Sequence, residues 1–167
     1  ATTANTSASD GALTVAGGLG VALDASIGDD LRLISDSAVL SFGADSEIQL
    51  IHVADDGLIL KHIGTGDGKE PSLTFQAGDN DIAQDDVLGS IFFQAPDEGA
   101  GTDAILVAAG IEAVSEGDFS SSNNATTLFF KTGASEAASN KMALRSDGDL
   151  RLLTDTAAIA FGADQDV

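Results

Sequence analysis

Residues 31–45 read LRLISDSAVLSFGAD, and residues 150–164 read LRLLTDTAAIAFGAD. Nine of these fifteen positions are identical, and the copies are offset by 119 residues. The changes are mild: Ile for Leu, Thr for Ser, small apolar for small apolar. A motif that returns after so long an interval marks a modular chain, in which one supersecondary unit is built more than once. Only Gln165, Asp166 and Val167 follow the second copy, matching Ser46, Glu47 and Ile48 in type, so the sequence reads as slightly more than one period of a longer natural chain.

Within the motif the apolar residues fall two apart, as in Leu31/Leu33 and Leu40/Phe42. The same period recurs at Leu13/Val15, Ile48/Leu50 and Leu58/Leu60. Alternate residues of a strand point to opposite faces, so this period predicts short, half-buried β-strands. Asp and Gly precede several of these runs, at Asp10-Gly11, Asp56-Gly57 and Asp147-Gly148. Gly takes positive φ without steric cost and Asp bonds to its own backbone, so each pair is expected to be a turn that opens a strand.

The middle of the chain has longer apolar runs. Candidate strands are Ser72–Ala77, Val87–Gln94, Ala104–Val114, Thr126–Thr132 and Met142–Arg145, separated by polar loops. The expected architecture is all-β. A short-strand fibre shaft of β-prism or β-spiral type over residues 1–60 leads into a small antiparallel β-sandwich-like module over 61–145, and a second shaft copy begins over 146–167.

Composition limits what such a chain can bury. It has eight Phe, one Met, no Trp, no Tyr and 19 Gly, so its large apolar side chains are few for 167 residues. Thin cores suit repeat structures in which coils or subunits cover one another. There is no cysteine, which removes disulfides, thiolate metal sites and thiol nucleophiles together. No apolar run approaches the ~18 residues of a membrane-spanning helix, and no basic and apolar leader is seen. With 27 Asp and Glu against seven Lys and Arg, the formal net charge is −20. Such a field repels phosphate backbones and anionic lipid, which excludes nucleic acid and membrane surfaces as partners.

Motifs of catalysis and ligand binding fail on particular residues. The loop Gly64-Thr65-Gly66-Asp67-Gly68-Lys69-Glu70 departs from a phosphate cradle, since Ile63 stands at the first Gly position and Glu70 at the Mg²⁺-binding hydroxyl. Gly17-Gly18-Leu19-Gly20 lacks the third Gly of a dinucleotide turn, and Ala22 occupies the Asp position of a calcium β-roll. Asp79-Asn80-Asp81 starts like an EF-hand loop, but Ala83 interrupts the donors. His52 and His62 lie ten apart without an i, i+4 partner and read as structural. Asn5 and Asn124 head N-x-[ST] sequons of chance type. No catalytic, cofactor-binding or metal-ligating residue is assigned, no cofactor is expected, and the chain reads as non-enzymatic.

The run Asp10-Gly11-Ala12-Leu13-Thr14-Val15-Ala16-Gly17-Gly18-Leu19-Gly20-Val21, then Ile27-Gly28-Asp29-Asp30-Leu31 and Ser37–Asp45, resembles repeats in tail fibres and related structural proteins of marine bacteriophages. Gly89–Phe93, Ala108–Ala113, Leu128–Thr132 and Met142–Gly148 are similar to the β-module that precedes the final Asp-Gly strands of such fibres. The resemblance implies a homotrimer, a place in the virion tail or outside a cell, contact with other tail components, and support of attachment to a host-surface glycan or protein. The alternative is a carbohydrate- or cell-surface-binding module of a bacterial extracellular repeat protein, using loops His62–Glu70 and Pro96–Asp103. Sugar sites use aromatic faces for stacking, and neither loop has a Phe, Tyr or Trp.

Overall fold

The computed structural model describes residues 13–96, 99 and 101–160. It is all-β and antiparallel, in two units that divide at Pro71/Ser72. The division lies beyond the expected boundary at residue 60: β3 runs to His62, and Ile63 N–H donates to the Glu47 carbonyl at 2.8 Å.

The first unit is a meander of β1 (Val39–Phe42), β2 (Ile48–Val53) and β3 (Gly57–His62). The Phe42-Gly43-Ala44-Asp45 part of the repeated motif makes its first turn. Gly43 has φ 89° and Ser46 φ 57°, and Ser46 N–H donates to the Gly43 carbonyl at 3.1 Å. The Glu47 carboxylate fills the space that a Cβ on Gly43 would need, which makes Gly the residue for this position. The second turn runs through Asp55 (φ 60°) and delivers Gly57 as the first residue of β3.

The second unit is a five-stranded meander of β4 (Val87–Gln94), β5 (Val107–Ser115), β6 (Thr126–Thr132), β7 (Ser139–Leu144) and β8 (Leu150–Leu152), with one 3-10 turn at Asp103–Ile105. Asp147-Gly148 forms the turn into β8, with Gly148 at φ 87° and its N–H donating to the Arg145 carbonyl at 3.0 Å. Asp56-Gly57 and Asp147-Gly148 thus open strands, as expected, while Asp10-Gly11 lies outside the described residues.

Three expectations change. Ser72–Ala77 is not a strand; Phe75 instead lies over Gly89, where an added Cβ would come within 2.8 Å of the Phe75 Cβ. The Leu13/Val15 and Leu31/Leu33 alternations form no strands, and these four side chains stay exposed, because a strand needs a neighbour for its N–H and C=O groups and the single chain supplies none there. Residues 146–152 belong to the five-stranded sheet as its closing strand instead of starting a new shaft. Among the described residues the second unit contains one sheet of five strands. The end of the second motif copy, residues 161–167, lies outside the described residues.

Candidate interaction surface

Directly paired residues of an antiparallel sheet share a face, so the register reads out each surface. In the five-stranded sheet one row runs Ile91, Ile111, Phe130, Met142, Leu152 across all strands. The adjacent row on the same face runs Gly89, Ala113, Leu128, Leu144, Leu150. Ten positions therefore carry no charge and no hydrogen-bonding side chain. Phe75 covers one corner, leaving a shallow depression of about 210 Å³ floored by Gly89, Ile91, Ile111 and Leu128. Ile91, Leu144, Leu150 and Leu152 remain exposed.

The opposite face is mixed. Its rows are Ser90, Glu112, Phe129, Ala143, Arg151 and Phe92, Gly110, Lys131. Glu112 is satisfied on both oxygens: Lys131 Nζ donates to Oε1 at 2.7 Å and Ser90 Oγ to Oε2 at 3.1 Å. Gly110 lets the Phe92 ring lie flat on the strand, since a Cβ there would stand 2.7 Å from Phe92 Cδ1.

One end of the sheet is tied by Glu116. Its carboxylate accepts from Thr127 Oγ1 at 2.6 Å, from Ser146 N–H at 3.0 Å, from Ser146 Oγ at 2.8 Å and from Arg145 Nη2 at 3.2 Å. The Thr127 hydroxyl and both Ser146 groups favour the ionised form, with Arg145 adding to them, and hold the carboxyl down to about 2. The effect is structural: the turn before β8 is fastened to the end of β5. Beside it, buried Ser115 donates to the Ala83 carbonyl and accepts from Asp86 N–H at 3.0 Å, pinning the loop before β4.

The three-stranded sheet has an apolar row on each side with polar residues beside it: His62 lies opposite Ile48 on one face, and Ser41, Gln49 and Lys61 form a row on the other. Leu40, Leu50 and Leu60 form a row on one face beside Phe42 and Ile48; Val39, Ile51 and Ile59 form a row on the other. No described side chain of this unit is buried. An apolar row on each face gives each face apolar area to gain from cover.

The sequence motifs tested for chemistry resolve into local structure. His62 Nδ1 accepts from Gly64 N–H, so that ring caps a loop, while His52 lies exposed on β2 opposite Leu58. Asp79 Oδ1 accepts from Asp81 N–H at 2.9 Å in a turn, and the Asn124 carbonyl accepts from Thr126 Oγ1 at 3.0 Å. Gly66 and Gly68 take positive φ in the 64–70 loop. Asp45 is held below the usual carboxylate range, first by a hydrogen bond with Glu47. Asn5 and Gly11 lie outside the described residues. Among the described residues no group of three His, Cys, Asp or Glu is arranged to hold a metal ion, and no helix is long and apolar enough to cross a membrane. The Glu116 hub had no distinguishing signal in a chain with 27 carboxylates, whereas the apolar rows were visible as period-two runs. The chain matches no protein-family model, no curated protein and no solved structure.

Proposed function

We propose that this chain is a non-catalytic structural segment of a homotrimeric fibre of the phage tail-fibre type, acting outside a cell to support attachment to a host surface. The observation that carries the reading is the three-stranded unit, in which each face has an apolar row and no described side chain is buried. Each apolar side chain fully covered by a partner contributes about 1.5–3 kcal/mol, so rows of Leu, Ile, Val and Phe favour association strongly. The need for a partner comes from these faces; the number three comes from the resemblance of the repeats to fibre proteins. Lateral association also covers strand edges that otherwise template aggregation, and a charge of −20 keeps assembled copies apart in solution.

The test is sedimentation velocity together with light scattering on the purified chain. The expected species has three times the 16.8 kDa chain mass and a high frictional ratio. A compact particle of 16.8 kDa at every concentration would end the fibre reading.

A further inference from the structure

Asp30-Leu31-Arg32-Leu33 and Asp149-Leu150-Arg151-Leu152 are identical in sequence, yet only the second is a strand. The seat that β8 occupies reads these residues one by one. Leu150 lies opposite Leu144, Arg151 opposite Ala143 and Leu152 opposite Met142. Both leucines complete the apolar rows, while Arg151 emerges on the mixed face and pairs with Asp149 at 2.9 Å. Glu116 and Asp147 of the same sheet add attraction to that guanidinium. The first copy has everything the seat uses, including Asp30 at the same spacing from Arg32, and its Leu31 and Leu33 are 62% and 52% exposed with no strand partner. Arg32 in that position would meet the same Glu116.

We propose that Leu31–Leu33 is a second β8, which seats against β7 of another copy of this chain with Leu31 opposite Leu144, Arg32 opposite Ala143 and Leu33 opposite Met142. This strand exchange couples successive copies through their backbones. It is separate from lateral trimerisation and does not rest on it. The chain's own β8 competes, because its short turn at residues 145–149 gives it an effective concentration on the order of millimolar. Exchange therefore dominates where copies are dense or where the resident strand is weakened.

The geometry supplies a cross-linking test. Arg145 N–H donates to the Asp149 carbonyl at 3.0 Å and Leu153 N–H to the Lys141 carbonyl at 2.8 Å, which makes Leu144/Leu150 a non-hydrogen-bonded pair. Such pairs have Cα atoms about 4.5 Å apart, within disulfide range, and the chain has no cysteine of its own. The donor is the full chain with Leu31→Cys. The acceptor is the full chain with Leu144→Cys, Leu150→Asp and Leu152→Asp. Mixed under mild oxidation, they are expected to form a covalent heterodimer at least tenfold more than a donor mixed with a Leu144→Cys acceptor whose β8 is intact. Leu144→Cys with Leu150→Cys in one chain is the positive control and should close within the monomer. Circular dichroism checks that the acceptor keeps its strands; should the aspartates unfold it, Arg151→Pro replaces them, removing the N–H that β8 gives to Ala143. Absence of the 31–144 disulfide in a folded acceptor overturns the proposal. So does its formation inside one chain when Leu31→Cys and Leu144→Cys are combined. A trimer that lacks this disulfide would defeat strand exchange and leave lateral assembly standing.

Discussion

The two sheets are built from the same kind of strand and hold themselves in different ways. The five-stranded unit has polar pins: Glu112 with Lys131 and Ser90, Glu116 with Thr127, Arg145 and Ser146, and buried Ser115 with the loop before β4. The three-stranded unit has its turns and its ladder hydrogen bonds, and among its described residues no ion pair and no buried side chain. Backbone hydrogen bonds alone contribute about 1 kcal/mol net each, while ordering a residue costs about 1–2 kcal/mol. A small sheet therefore needs side-chain burial to persist. The second unit obtains part of it within the chain; under the proposed assembly, the first obtains it from a partner.

The largest effect is expected from breaking that dependence. Leu40→Asp with Leu60→Asp puts charge into the central row of the three-stranded sheet. It should abolish the proposed trimer in sedimentation, and amide exchange should then be fast across residues 39–62 while β5 and β6 stay protected. Equal loss of protection in both sheets would show that the units are not independent.

Next comes the Glu116 hub. Its folded carboxyl, held at about 2, lies below the ordinary 4.5, so the unfolded state binds protons first as pH falls. The stabilisation is complete above pH 4.5 and is lost progressively as pH drops towards 2. Melting temperatures measured over that window should fall more steeply for the native chain than for Glu116→Gln, and β8 should lose exchange protection before β5. Identical slopes would remove Glu116 from the account.

Lys131→Met leaves the Glu112 carboxylate, 9% exposed, without its cation. A stability loss of about 1–3 kcal/mol is expected in urea unfolding, with most of it regained in the double variant Lys131→Met/Glu112→Leu, which removes both partners. The smallest effect belongs to Arg151→Ala. The Arg151–Asp149 pair is solvent-exposed, and exposed pairs contribute little, so the melting temperature should stay within measurement error.

Much of this was legible in the residues. Val87–Gln94 and Thr126–Thr132 have the bounds that the apolar runs indicate, and Asp-Gly turns open β3 and β8 where expected. Ser72–Ala77 misled because a short apolar run has no signature that separates a strand from a segment laid across a sheet; Phe75 supplies cover for Gly89 and makes no ladder. Leu31/Leu33 misled for a different reason. Period two fixes which side chains share a face and says nothing about whether a neighbouring strand exists.

The repeated fifteen-residue motif concentrates that distinction. Its sequence determined local geometry: a Gly at positive φ after Phe42, and the period-two rows that make the chain all-β. Tertiary structure decided membership. The motif is a junction, since Leu150–Leu152 closes the five-stranded sheet and Val39–Phe42 opens the three-stranded one. A strand's conformation is set by local sterics and side-chain alternation, but its sheet is set by which backbone lies beside it, and that information resides outside the strand itself.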